Sequence, residues 1–226
     1  MSTTPPELTI MTTLSRARMA TYEIATTRIP QQSNPVDALA LYGWNAQVSS
    51  ALLLPLHMCE VVIRNAVSDA LELVYGAGWP WSPGLLRSLP MPQTGYRARS
   101  DLHATGDRFN TTGKVIPELK FIFWQTMFTS RFDKRLWSPH LAAVLPHHDP
   151  TKSIADVRDE VYKDLEVVRQ LRNRIAHHEP IFKRNLLDDL GKVEQLIGLR
   201  CPATAAWMRT QEDASRIIAL KPWTTP

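Results

Sequence analysis

Hydrophobic positions recur at three- and four-residue steps along most of this chain, the pattern of helices that bury one face. The clearest run is Val161, Leu165, Val168, Leu171 and Ile175. It predicts a long helix capped by Ser153, with Asp156 three residues on as an imperfect capping box. Pro180 disfavours the α conformation at Glu179, so the helix is expected to end near His178. A second stripe of Leu56, Cys59, Ile63, Ala66 or Val67, Ala70 and Val74 predicts a helix up to Tyr75. Ahead of it, Asn34-Pro35 reads as cap and first residue of a helix running to about Leu53, which Pro55 kinks or restarts. Residues 1–13 read as a loose tail, Thr13–Ala25 as a first helix and Thr26–Asn34 as a turn. Gly76–Gly84 is a turn cluster, followed by a short basic helix around Tyr96–Arg108. An aromatic helix is expected from Pro117 to Phe128, a short one over Pro139–Leu145 and an amphipathic one over Lys183–Leu199. A last helix begins at Cys201-Pro202 and runs to about Ile218 before the chain trails off. Nine glycines and few alternating β-branched runs argue against a sheet. The reading is all-α and single-domain: residues 1–33 a tail and short helix, 34–200 the helical domain, 201–226 a C-terminal helix and tail packed on it.

At 226 residues the chain can bury one substantial core, and its 44% hydrophobic and 21% charged content is that of a soluble globular protein. Cys59 and Cys201 form neither a disulfide framework nor a metal spacing, which fits a reducing cytosol. No stretch reads as a signal peptide. No apolar run reaches a membrane span, since the longest, Val48–Met58, contains Pro55 and His57. A cytoplasmic protein with no membrane association is therefore expected. Net charge is +4, unevenly spread: residues 87–135 carry nine Lys/Arg against four Asp/Glu, and residues 163–184 carry six against three. Such asymmetry suits a polyanion such as RNA.

The basic stretch 163–184 also holds the one concentration of candidate chemistry. Arg172, Asn173, Arg174, His177 and His178 lie off the apolar stripe. Histidine can give or take a proton near neutral pH, and arginine holds phosphate in a fork without losing its charge. An Arg/His pair at a helix end suits acid–base work on a phosphodiester. Arg172 and His177 are five residues apart, about 140° around an ideal helix, whereas Asn173 and His177 share a face. One chain thus makes a poor two-residue site unless its last turn unwinds. A two-fold dimer could instead set two copies across one cleft. The plain alternative is a solvated, salt-bridged helix end. Glu60 and Arg64 can pair across one turn beside Asn65, most simply as an exposed ion pair. Trp79 and Trp81 could stack on bases or form a lid over the core. Neither His147-His148-Asp149 nor His177-His178-Glu179 has the spacing of a metal site, and no metal is expected. No glycine-rich phosphate loop, Ser/His/Asp pattern or carboxylate cluster stands out.

Arg172-Asn173-Arg174-Ile175-Ala176-His177 resembles the R-N-x-x-x-H motif of HEPN domains. The eleven-residue run from Leu171 to Ile181 resembles the Abi-like (abortive infection) family of that superfamily. Two more blocks are similar to that family in the same order. One is Cys59–Ala66; the other is the aromatic stretch Glu118–Trp124 with the basic Ser130–Trp137 after it, departing at Ile122, where glycine is common. The resemblance covers about residues 35–200. It implies a single HEPN-like helical bundle and a homodimer. Its activity would be a metal-independent, cofactor-free endoribonuclease acting as a toxin in phage defence or in a toxin–antitoxin pair. Arg172, His177 and Asn173 would be catalytic. Arg174, His178, Glu179, Glu60, Arg64 and Asn65 would bind RNA or support the site. RNA would be the substrate, and an antitoxin or other regulatory protein a partner. A non-catalytic RNA-binding HEPN protein and a helical dimerisation module are the alternatives.

Overall fold

The computed structural model describes residues 5–27 and 34–222, and among these every regular element is helical. In chain order the α-helices are α1 (Pro6–Thr13), α2 (Arg16–Thr26), α3 (Pro35–Tyr75), α4 (Pro83–Ser88), α5 (Ala98–Gly106) and α6 (Thr112–Val115). They continue with α7 (Phe121–Thr126), α8 (Ser138–Val144), α9 (Ile154–Ala176), α10 (Leu186–Arg200), α11 (Pro202–Gln211) and α12 (Ala214–Ala219). The all-α expectation holds. Several boundaries move, each for a local reason.

The supposed tail contains α1, begun by Pro6 at a first-turn position where the missing N–H costs nothing. Residues 28–33, within the expected turn, and 223–226, at the expected trailing end, lie outside the described residues. Pro55 neither ends nor restarts its helix: α3 runs unbroken for 41 residues with a buried Pro55 inside it. Loss of one backbone hydrogen bond there, about 3 kcal/mol in an isolated helix, is offset by packing of the apolar face. The helix contains an 18-residue window long and apolar enough to cross a membrane, which the shorter sequence run concealed. One third of that window is buried, and a core helix of a soluble protein meets the same test. The aromatic stretch is not one helix. It is α6, a 3₁₀ turn at Ile116–Glu118 and α7, then a 3₁₀ turn at Ser130–Phe132 and a π turn at Asp133–Trp137. The expected last helix is split into α11 and α12.

The chain forms two compact units that interleave in sequence, a division that follows neither residue 33 nor residue 200. Unit 1 comprises Met1–Leu54, Arg174–Leu187 and Glu212–Pro226; unit 2 comprises Pro55–Asn173 and Asp188–Gln211. The divisions at 54/55 and 173/174 fall inside α3 and at the last turn of α9.

Unit 1 packs around Met19, Tyr22, Leu41, Trp44, Val48 and Phe182, all buried. The Tyr22 ring meets Tyr42 edge-on at 5.2 Å and Phe182 at 5.3 Å. Polar ties hold its separate stretches. Trp44 Nε1 donates to the Ile217 carbonyl at 2.7 Å, Lys221 Nζ to that of Phe182 at 2.7 Å, and the Ile181 amide to Asn45 Oδ1 at 2.8 Å.

Unit 2 buries the stripes of α3 (Cys59, Ile63, Val67, Leu71) and α9 (Val161, Leu165, Val168, Leu171) with Val193 and Ile197 of α10. Ser153 caps α9 as expected, accepting from the Asp156 amide at 3.1 Å. Aromatic rings fill the rest. Trp79 is fully buried against Phe123 and Trp124, with its Nε1 donating to Ser68 Oγ at 3.1 Å. Trp81 Nε1 donates to the Gly106 carbonyl. The lid reading of the Trp79–Trp81 turn fits these contacts, and Trp79 has no free face for a base.

The two thiols differ sharply. Cys59 is fully buried, and burial, then the nearby Glu60 and Asp164 carboxylates, push its thiol up to about 12. Cys201 precedes α11, partly exposed, and hydrogen bonding with Thr204 holds its thiol below the usual range. Titration of the native protein with a thiol–disulfide exchange reagent is expected to modify Cys201 promptly and Cys59 only on unfolding. Equal rates for both would contradict this packing.

Candidate functional site

The Arg/His stretch begins inside α9 and finishes beyond it. The helix ends at Ala176, two residues before the expected end, so neither histidine sits in the last helical turn. The reason is a left-handed residue: His178 has φ 55°. Its amide bonds the Ile175 carbonyl at 3.0 Å, and the Glu179 amide bonds that of Arg174 at 2.8 Å. These two bonds are the paired closure that usually places glycine at the left-handed position. Pro180 then continues a chain that has already left the helix.

The turn is tied down within unit 1. Arg18 Nη1 donates to the His178 carbonyl at 2.6 Å. Arg174 Nη1 donates to the Pro180 carbonyl at 3.2 Å, and the same atom lies 4.0 Å from the Glu179 carboxylate. Arg174 therefore closes its own turn and does not stand clear of it. His178 borders a cavity of about 280 Å3 with Tyr22, Tyr42, Asn45 and Ser49. Burial, then Tyr42, push the Tyr22 phenol up to about 12 against the opposing pull of Arg18, so it stays neutral. His177, Arg174, His178 and Glu179 are all exposed.

The left-handed conformation costs a non-glycine residue about 1–2 kcal/mol, while glycine loses about 0.5–1 kcal/mol more backbone entropy on folding. His178→Gly is thus expected to stabilise the protein by about 0.5–1 kcal/mol, read as a raised urea midpoint. A lowered midpoint would show that the imidazole itself holds the turn.

A second group belongs to unit 2. Glu60 and Arg64 form a close ion pair, and Arg172 Nε lies 3.9 Å from the other Glu60 oxygen. The side chains of Glu60 and Arg64 are only 15% and 18% exposed, against 44% for Arg172. The simplest sequence reading, an exposed surface pair, is corrected: one mostly buried carboxylate serves two guanidiniums. The i,i+4 spacing signalled the first contact, while the second is tertiary. Arg64 Nη1 also approaches the Pro117 carbonyl at 3.5 Å, and its buried Nε has no hydrogen-bond partner among the described residues. Two cations on one anion leave net positive charge at the exposed Arg172 end. Asn65 is exposed and Asn173 half-buried.

Arg172, Glu60 and Arg64 are thus together in unit 2, with Asn173 closing its stretch of α9, whereas Arg174, His177, His178 and Glu179 belong to unit 1. A further polar network was not singled out from the sequence. Glu166 accepts from Arg169, Gln170 and Gln125. Burial pushes its carboxyl up, but the hydrogen bonds from Arg169, Gln125 and Gln170 outweigh it and hold the group below the usual range. Among the described residues no group of three or more His, Cys, Asp or Glu could hold a metal ion. His148 Nδ1 meets the Leu145 carbonyl, while Asp149 accepts from Thr151. No protein-family model matches the sequence, and neither a curated protein nor a solved structure matches it.

Proposed function

We propose that this chain is an endoribonuclease of the HEPN kind, similar to the Abi-like family, working as a homodimeric toxin in phage defence or in a toxin–antitoxin pair. The observation that carries the reading is the run Leu171–Ile181, in which an arginine with its Nε 3.9 Å from a carboxylate is followed five positions on by an exposed histidine just past a helix end. Arg172 keeps its charge at any working pH, and its Nε side faces Glu60. Its remaining N–H groups can meet the phosphate oxygens as charge grows on them.

His177 takes the proton from an RNA 2′-hydroxyl as that oxygen attacks phosphorus. The P–O5′ bond breaks, and the leaving 5′-oxygen takes a proton from the second copy's histidine. A 2′,3′-cyclic phosphate and a 5′-hydroxyl result, with atoms and charge in balance. Two histidines in a dimer supply the base and the acid at once. Asn173 orients the imidazole or a phosphate oxygen.

The test is incubation of purified protein with total RNA in EDTA, with product ends mapped and the sedimentation coefficient measured alongside. Cleavage leaving cyclic-phosphate ends, by a dimer, is the expected result. RNA bound without cleavage would replace this reading with that of a non-catalytic RNA binder.

A further inference from the structure

The strongest unassigned feature lies wholly in unit 2. Gly84, Arg87 and Ser88 of α4 face Arg131, Lys134 and Arg135 of the 130–137 segment around a concavity of about 570 Å3. All four cationic residues are exposed, and among the described residues no carboxylate lines the surface. Among the described residues none of the four makes an ion pair. Arg131 Nε donates to the Ser88 carbonyl at 2.6 Å, and Arg135 Nη1 approaches the Tyr75 hydroxyl at 3.4 Å.

Its walls are fixed by ordinary helix chemistry. The end of α4 leaves carbonyls unpaired, and cationic side chains satisfy them. Arg131 takes that of Ser88, and Arg99 Nη2 bridges those of Arg87 and Leu89 at 3.0 and 3.1 Å. Opposite, the 3₁₀ turn followed by the π turn buries Phe132, Leu136 and Trp137 and leaves Arg131, Lys134 and Arg135 outward. The segment's one acid, Asp133, is taken up by Arg158 at 2.9 Å and cannot neutralise the concavity. Like charges have been gathered here and left uncompensated, at a cost that an anionic ligand would relieve.

We propose that this concavity is a seat for RNA backbone phosphates, separate in its residues from the cleavage chemistry. The inference rests on the reading that the chain acts on RNA. Three arginines and a lysine suit phosphate oxygens, to which guanidinium offers a fork. Among the described residues the aromatic in the lining, Phe132, is buried and offers no face to a base, and the nearby Tyr75 turns its hydroxyl to Arg135. Contacts would position the strand without reading its sequence.

The test uses a single-stranded, fully 2′-O-methylated RNA of about 20 nucleotides, which lacks the attacking hydroxyl, so binding is read apart from cleavage. Fluorescence anisotropy across a salt series compares three full-length proteins. They are wild type, the triple variant Arg87→Gln/Lys134→Gln/Arg135→Gln, and a control with equal charge loss elsewhere, Arg16→Gln/Lys163→Gln/Arg209→Gln. The groove variant should bind at least about tenfold more weakly, and its salt slope should fall by about 2, since each phosphate contact on a single strand contributes about 0.7. The control should follow wild type, and circular dichroism should show all three folded. Equal weakening in both variants would mean bulk charge alone and overturn the proposal, as would wild-type binding by the groove variant. Groove-dependent binding of an acidic peptide with no RNA affinity would overturn it too, in favour of a protein partner. Groove-dependent RNA binding by a protein that cuts no RNA would leave this seat standing and remove the nuclease reading.

Discussion

His177→Ala is expected to lower the rate of RNA cleavage by about 10²–10⁴-fold, the range a positioned acid or base usually contributes. The change should cost little stability. His177 is exposed, and the turn beyond α9 is closed by the backbone amides of His178 and Glu179, so no hydrogen bond that closes it is lost with the imidazole. A surface change of this kind stays within about 0.5 kcal/mol. Three companions make the result specific. Arg172→Ala should fall comparably, whereas Arg172→Lys should retain part of the activity, because an ammonium keeps the charge without the fork. His178→Gly should cleave much faster than His177→Ala if His177 carries the chemistry, since it removes at most an RNA contact and not the proton transfer. Cleavage by His177→Ala at the wild-type rate, with RNA ends unchanged, would sink the assignment.

The second large effect concerns stability. Arg158 is 8% exposed, with Nε 2.9 Å and Nη2 3.4 Å from the two Asp133 oxygens in a bidentate pair. It also reaches Asp159 at 3.2 Å and the Phe128 carbonyl at 3.5 Å. Breaking a buried pair from one side costs about 3–5 kcal/mol, because the surviving charge is left without its partner. Asp133→Ala should fall near 3 kcal/mol, since the more exposed Asp159 still serves the guanidinium. The double change Arg158→Met with Asp133→Leu removes both charges and should cost far less than the single one. Urea unfolding followed by tryptophan fluorescence reads both, because Trp137 lies within the turn that Asp133 begins. A double variant as damaged as the single would mean that shape, and not charge, matters there.

How legible each of these regions was depended on whether the deciding contact is local. The Asn34-Pro35 start, the Ser153 cap and the apolar stripes of α3 and α9 are properties of near neighbours, and they are found where periodicity and capping chemistry put them. The helix of residues 6–13 carried a local signal too, Pro5-Pro6, outweighed by the polar character of the segment. Pro55 does not restart the helix, the second of its two expected effects, because its cost is set by an isolated helix and offset by packing that periodicity does not count. His178 misled because left-handed backbone is read from glycine or asparagine, and neither is present. In the candidate site, the pairing of Glu60 with Arg64 was visible as i,i+4 spacing, but the approach of Arg172 to the same carboxylate spans more than a hundred residues. The excess of charge over residues 87–135 was legible, whereas its gathering into one concavity depends on two turns that no periodicity announces.

The discontinuity of unit 1 has a consequence in time. Trp44 must wait for a carbonyl 173 positions later, about 10–30 s of elongation at typical ribosomal speeds. Arg18 waits 160 positions for the turn that follows His177. The long stretch Pro55–Asn173 of unit 2 is unbroken and can begin to collapse while those partners are still missing. The histidine-bearing turn is therefore secured only after that stretch has been made, and before the Ile217 carbonyl that Trp44 awaits; a nascent protein truncated before residue 178 has no such turn at all.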